Sequence, residues 1–196
     1  PNVSKSLFDS DHIGIKAPQF SFSRLRKADP ILSVEMASTG EVACFGDSLQ
    51  EAFLKSIVST GFKVPRKSVL VAIKDDQDKF KSLSWIKRLR DLNFKIYATE
   101  HTSEFLQERG IENEMLHKIY EQREPNIRTY FMNGKIDFVI NIPLAYNRLE
   151  FDDFYEMRRM AVDFSIPLIT NVQLARLLIE CIETKPPLTI KHWAEY

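Results

Sequence analysis

The chain has 196 residues, in which 27 Lys and Arg offset 27 Asp and Glu, and 44% of its residues are hydrophobic. That length suits one good domain plus an additional piece, and the balanced charge gives no sign of a nucleic-acid footprint or a disordered acidic tail. No apolar run is long enough to span a bilayer and no secretory signal opens the chain, so a cytoplasmic location without a membrane role is expected. Cys44 and Cys181 lie far apart without metal-type spacing, and both read as buried thiols in a reducing compartment. The chain opens at Pro1 rather than Met, the expected mark of an excised piece.

Residues 1–64 have a texture of their own. Ile13–Pro18 and Ile31–Met36 are short β-like runs among polar turns. A helix follows over residues 49–57, with Ser48 as N-cap and Glu51 three places on, the spacing of a capping box. This segment holds too little apolar material to fold alone, and residues 63–67 read as a linker.

Beyond it the rhythm becomes regular. Strands are predicted at Ser68–Ile73, Phe94–Ala98, Met115–Tyr120, Ile136–Asn141 and Pro167–Thr170. Helices are predicted at Lys79–Leu92, at residues 103–109 up to Gly110, from Pro125 to Asn133-Gly134, at Asp152–Phe164, and from an Asn171 cap to Glu183. Strands alternating with helices imply an α/β fold, a five-stranded, mainly parallel sheet with helices on both faces.

In such a sheet ligands sit beyond the carboxyl ends of the strands. Those ends offer residues 74–79, residues 99–103, Lys118 to Tyr120, Asn141, and Thr170-Asn171. The stretch Thr99-Glu100-His101-Thr102-Ser103 is a hydroxyl-rich turn opening a helix. It reads either as an ordinary N-cap at Thr102 or Ser103, or as an anion site built on the helix N-terminus. Each lysine is a surface charge or a phosphate partner, and Asn141 is a turn residue or a ligand group. His101 is open to an acid–base role or a neutral hydrogen-bonding one. Asp152-Asp153 is a metal pair or, more simply, a pair of helix-dipole partners. Neither GxGxxG nor GxxxxGK[ST] occurs, and no G-x-S-x-G elbow appears. The residues by themselves support an anion-binding α/β domain and no particular reaction.

Two stretches are more specific. One is Lys16-Ala17-Pro18-Gln19-Phe20-Ser21-Phe22-Ser23-Arg24-Leu25, followed by Ala28-Asp29-Pro30. The other is Glu35-Met36-Ala37-Ser38-Thr39-Gly40-Glu41-Val42-Ala43, with Ser59-Thr60-Gly61-Phe62-Lys63-Val64-Pro65 continuing it. Together they closely resemble the large subunit of carbamoyl phosphate synthetase, at the end of its second ATP-grasp unit. From Ser68 to Glu183 the order of elements is similar to that family's C-terminal regulatory domain, of methylglyoxal-synthase-like fold. The resemblance implies residues 1–64 from an ATP-grasp unit, an allosteric domain at 65–184 and a tail at 185–196.

Several expectations follow from that resemblance. The parent enzyme makes carbamoyl phosphate from bicarbonate, ATP with Mg or Mn, and ammonia, often supplied by a glutamine amidotransferase subunit or domain. This stretch does no chemistry and holds no cofactor; it binds a small allosteric effector and acts on the rest of the synthetase large chain. The matching effector residues are Lys79, Thr99, Thr102, Lys118 and Asn141. Thr102→Ala is expected to weaken effector binding at roughly 1 kcal/mol of stability. His117-Lys118-Ile119-Tyr120-Glu121 resembles the bacterial nucleotide-binding version and points to a phosphorylated nucleotide such as UMP, UTP or IMP. Ile142-Pro143 resembles the urea-cycle type, whose effector is N-acetylglutamate and whose compartment is the mitochondrial matrix. Against that type, two of its asparagines are replaced by Leu144 and Phe154, and its tryptophan is missing. Leu168 stands where bacterial chains place an ornithine-site tyrosine. A methylglyoxal synthase would need a Gly-Asp loop that residues 121–125 do not supply.

Overall fold

The computed structural model describes residues 11–25, 27–31, 40–144, 153–192 and 195, and the chain forms two compact units. The first takes in Pro1–Phe20, Ala37–Phe62 and Glu180–Tyr196; the second takes in Ser21–Met36 and Lys63–Ile179.

In the first unit β1 (Ile13–Gln19) pairs antiparallel with β2 (Gly40–Gly46), Ile13 lying opposite Gly46 and Gln19 opposite Gly40. The expected strand at Ile31–Met36 falls almost wholly outside the described residues, and β2 is a strand the sequence reading did not foresee. Helix α1 (Leu49–Ser59) starts as the Ser48 cap predicts, with the hydroxyl accepting from the Glu51 N–H at 3.2 Å. The Glu51 carboxylate reaches back one residue further than in the usual box and accepts from the Asp47 N–H at 2.9 Å. That carboxylate is buried, and a Lys55 ammonium at 2.8 Å holds its pKa below the ordinary value. Gly46 allows this close turn, since a Cβ there would come within 2.6 Å of the Ala52 nitrogen. Cys181 is buried as expected, whereas Cys44 is only half-buried on the small two-stranded sheet.

The second unit is the α/β domain. Its elements are β3 (Ser68–Ile73), α2 (Asp76–Asp91), β4 (Lys95–Ala98), α3 (Glu100–Gln107), β5 (Glu114–Met115), α4 (Ile127–Met132), β6 (Val139–Ile142), α5 (Asp153–Asp163) and β7 (Leu168–Ile169). Helix α6 (Val172–Thr184) follows. The five strands form one parallel sheet in the order β5-β4-β3-β6-β7, so β3 is central and every one of its residues is buried. That is why its sequence is a continuous apolar run rather than an alternating one. The pleat turns Leu70 and Ala72 to one face, where they join Ile127, Tyr130 and Phe131 around α4 and Met157 and Ala161 of α5. Val69, Val71 and Ile73 face the other way and are equally buried, with α2 and α3 packed on β3 and β4. Helices therefore cover both faces. Among the described residues no helix is long and apolar enough to cross a membrane.

Local boundaries differ from expectation for identifiable reasons. Helix α2 begins at Asp76 because the Asp75 side chain caps it, accepting from the Asp78 N–H at 3.0 Å. The third strand of the sheet is only Glu114–Met115. The residues after it fold into a closed loop, in which His117 N–H donates to the Pro125 carbonyl at 2.7 Å and the Asn126 amide donates to the Lys118 carbonyl at 2.8 Å. Leu116 and Ile119 enter the core from this loop as single side chains. Helix α4 opens at Ile127 rather than at Pro125, and Asn126 caps it, accepting from the Arg128 N–H at 2.9 Å. Gly134 ends that helix at φ 62°, the left-handed conformation that suits glycine.

At the amino ends of the central strands, Asp137 stands in for the next rung of the ladder. Its Oδ2 accepts from the N–H of Lys67 at 2.9 Å, and its Oδ1 from the N–H of Ser68 at 2.9 Å. The Ser68 hydroxyl donates to the Lys135 carbonyl at 2.7 Å. One carboxylate thus joins the entries of β3 and β6. Asp137→Ala is expected to lower unfolding free energy by about 2 kcal/mol, since charge-assisted bonds to backbone amides are lost; urea titration should show a shifted midpoint at unchanged slope.

The sheet edge carries a second polar cluster. Lys95 Nζ lies 2.7 Å from Glu114, and the Tyr130 hydroxyl donates to the same carboxylate. These bonds, Lys95 first, hold the Glu114 carboxyl below its ordinary value of 4.5, while the carboxylate and burial push the Tyr130 hydroxyl up to about 12. A carboxyl whose pKa falls on folding stabilises the fold above its unfolded value, and that contribution vanishes as pH drops through the folded value. Between pH 7 and pH 3, Glu114→Gln is therefore expected to lose less stability than the parent, as read by denaturant titration at both pH values.

Candidate functional site

The carboxyl ends of β3 and β4 open into a cavity of about 320 Å³. Its lining is Ile73 and Lys74 at the end of β3, Lys79 from α2, Thr99 to Thr102 after β4, Lys118 from the loop after β5, and Phe154 and Met157 of α5. Four of the five residues proposed from the sequence, Lys79, Thr99, Thr102 and Lys118, are brought together here. Lys74, His101, Glu100 and the apolar wall complete it.

Helix α3 supplies one side. It starts at Glu100, directly after Thr99, so neither Thr102 nor Ser103 is its cap. Thr99 sits at the cap position but makes no side-chain cap bond. Its hydroxyl instead donates to Thr102 Oγ1 at 3.3 Å. The first-turn N–H groups of α3 thus lack the side-chain partner that a capping threonine would give. Thr102 is almost fully buried for a different reason. Its hydroxyl donates to the Ile73 carbonyl at 3.3 Å and accepts from the Ile73 N–H at 3.2 Å, riveting the first turn of α3 to the last residue of β3. Ser103 turns away, donating to Asn113 Oδ1 at 2.7 Å. His101 is exposed, with Glu104 at 3.4 Å.

The cations reach the cavity from three elements. Lys79 is 7% exposed, its Nζ 2.9 Å from Asp76 and 5.8 Å from the Phe105 ring. That ammonium, first by hydrogen bonding, holds the exposed Asp76 carboxyl below its ordinary value. Lys74 lies 5.8 Å from the Phe154 ring and Lys118 5.8 Å from the Tyr120 ring. The lining thus carries three ammonium-bearing side chains and the Glu100 carboxylate, with Asp76 paired to Lys79. A more open cleft of about 550 Å³ lined by Tyr120, Arg123, Arg128 and Glu156 mixes both charge signs.

Asn141 does not line the cavity. It lies inside β6, fully buried, with Oδ1 accepting from Arg158 at 2.9 Å and Nδ2 donating to the Phe154 carbonyl at 3.2 Å. It stands behind the wall that Phe154 presents. Leu144 is exposed and outside the lining; Asp152 and the side chain of Asp153 fall outside the described residues. Arg158 was missed in the sequence, although it left a signal. It sits four residues after Phe154, within the apolar stripe of Phe154, Met157 and Ala161, where a charge needs a buried partner.

Residues 81–170 match the model of the MGS-like domain. This stretch of the chain is an MGS-like domain. The "Multifunctional protein URA2" of Saccharomyces cerevisiae is 43% identical over 190 residues, which is 92% of this chain and 8% of that protein. "Carbamoyl-phosphate synthase [ammonia], mitochondrial" of Homo sapiens is 40% identical over 205 aligned residues, all of this chain and 13% of that enzyme. The "Multifunctional protein pyr1-3" of Dictyostelium discoideum is 39% identical over 188 residues, 93% of this chain and 8% of the relative. The chain thus spans about a tenth of the length of these relatives. The likeness to carbamoyl phosphate synthetase read from the sequence holds along its whole length, and the MGS-like domain occupies the unit with the five-stranded sheet.

Because Thr102 is a rivet rather than a cap, its loss should cost more than the roughly 1 kcal/mol of a missing cap. Thr102→Val keeps the volume and removes the hydroxyl, leaving a buried N–H without its partner. About 2 kcal/mol of lost stability is expected, with Thr102→Ser restoring most of it; urea unfolding of the three proteins decides.

Proposed function

We propose that the cavity of this MGS-like domain is the effector site of a carbamoyl phosphate synthetase large chain. In this reading it takes a phosphorylated nucleotide of the UMP, UTP or IMP type. Its occupancy controls carbamoyl phosphate synthesis from bicarbonate, ammonia or glutamine, and ATP elsewhere in the parent protein. The observation that carries the reading is the convergence of Lys74, Lys79 and Lys118 on the uncapped start of α3. Ammonium groups are point-charge partners for phosphate, and unpaired first-turn N–H groups favour an anion. A volume of about 320 Å³ is at the lower end of ligand sites and suits a mononucleotide held by its phosphate. ATP with its Mg or Mn, and any glutamine amidotransferase partner, belong to other parts of the parent in this proposal. The compartment follows the parent, cytoplasm for a pyrimidine enzyme.

A second reading rests on the apolar part of the lining. Ile73, Phe154 and Met157 make that side apolar, which suits the acetyl and methylene groups of N-acetylglutamate. It is the reading in keeping with the human relative named for ammonia, and it would place the parent in the mitochondrial matrix. Thermal unfolding with UMP, UTP, IMP, phosphoribosyl pyrophosphate, ornithine and N-acetylglutamate separates the two, because a ligand that binds only the folded state raises Tm by mass action. A rise with UMP that disappears in Lys118→Ala is expected. A rise with N-acetylglutamate alone would replace the nucleotide by the acyl amino acid, and no rise with any of them would overturn the effector reading. Dihydroxyacetone phosphate should give no methylglyoxal; turnover would make the domain an enzyme.

A further inference from the structure

Arg158 is a charged side chain only 4% exposed, rooted on α5 one residue beyond the cavity-lining Met157. Its guanidinium branches two ways. Nε and Nη2 donate to the two oxygens of Asp29 at 2.7 and 2.6 Å, a bidentate fork. Nη1 donates to Asn141 Oδ1 at 2.9 Å, and the other end of that amide donates to the Phe154 carbonyl on the cavity wall. The amide orientation is dictated by these partners, since only its oxygen suits the guanidinium and only its nitrogen suits a carbonyl.

Neighbouring side chains of α5 grip the same segment that carries Asp29. Arg159 donates to the carbonyls of Phe22, Leu25 and Ala28 at 3.1–3.2 Å, and the Tyr155 hydroxyl to that of Lys27 at 3.0 Å. One face of α5 therefore meets the cavity through Phe154 and Met157, and another bonds Phe22, Leu25, Lys27, Ala28 and Asp29.

We infer that Arg158 is a positioning residue that fixes Asn141 and the Phe154 wall on one side and the segment around Asp29 on the other, so that cavity occupancy and the hold on residues 22–29 are coupled. The inference rests on the reading of the cavity as a ligand site, though its first half is independent of any ligand. A buried guanidinium must keep its partners, so a displacement of the wall changes the geometry offered to Asp29 and the reverse holds equally.

The experiment uses the whole chain and UMP as probe, with two-dimensional NMR of backbone amides and of the Asn141 side-chain NH₂. Asp29→Asn removes the counter-charge at a half-exposed position outside the cavity; Tyr155→Phe loses a neighbouring grip without touching Arg158. Asp29→Asn is expected to move the Asn141 NH₂ signals, and Tyr155→Phe to leave them in place. UMP should shift amides of residues 22–29 in the parent, and Asp29→Asn should weaken UMP binding about fivefold, the lower end of ordinary coupling. If Asp29→Asn does not fold, Asp29→Glu keeps the charge while displacing the fork and should move the same signals. Unmoved Asn141 signals in the folded variant overturn the inference whether or not UMP binds. Moved signals with unchanged UMP affinity overturn the coupling. Moved signals in a protein that binds no UMP leave Arg158 as the positioning group and remove the nucleotide reading alone.

Discussion

The hydroxyl of Thr102 on the backbone of Ile73 is the constraint from which the cavity follows. A parallel strand ends with peptide groups that have no further neighbour in the sheet, and burying them without partners is costly. Thr102 satisfies both the N–H and the carbonyl of Ile73, and it can do so only if the first turn of α3 lies directly against the end of β3. With Thr102 committed there and Thr99 bonded to it, no side chain remains to cap α3. The helix start is left facing an opening instead of being closed on itself. A solution to a local hydrogen-bonding problem in the sheet thus leaves donors at a concave surface.

The lysines complete that surface without filling it. Lys79 keeps its ammonium beside Asp76, whose side chain is 80% exposed, so the pair is solvated on one side only. Lys74 lies beside the Phe154 ring and Lys118 beside the Tyr120 ring, contacts that help to position each cation. Three ammonium-bearing side chains are thus gathered in the lining that also holds the start of α3. The apolar residues of the lining, Ile73, Phe154 and Met157, lower the local polarisability of the surroundings, so a charge there acts more strongly than on an open surface.

The fold was readable in the sequence wherever a single physical signal dominated. The run Ser68–Ile73 is apolar throughout because both sides of the central strand are covered, and the alternation of strands with amphipathic helices leads directly to the parallel sheet. Errors arose where several residues could play one part. Thr99, Thr102 and Ser103 are all competent caps, and only the demand of Ile73 for a partner, a contact between distant residues, decides among them. The strand predicted at Met115–Tyr120 gives way to a loop after Met115 because Leu116 and Ile119 reach the core singly, which apolar content alone does not distinguish from a strand. Strand β2 was overlooked because its burial is shallow and mixed. That Lys79, Thr99, Thr102 and Lys118 come together at one cavity was legible from the family pattern. The position of Asn141 behind the wall and the burial of Arg158 were not, since Arg158 bonds both Asn141 and Asp29, the latter more than a hundred residues earlier in the chain.

The contrast between the two cysteines has a practical side. Burial raises the Cys181 thiol to about 11, and its sulfur is turned to the Gln50 carbonyl at 3.4 Å, so at neutral pH it stays protonated and shielded. Cys44 is half-buried on the small antiparallel sheet, 3.7 Å from the Ser59 hydroxyl. A maleimide dye or spin label would meet one accessible sulfur in the native chain. The protein carries its own attachment point for spectroscopy, in the unit without the cavity, and no cysteine need be engineered or removed before a reporter is fixed there.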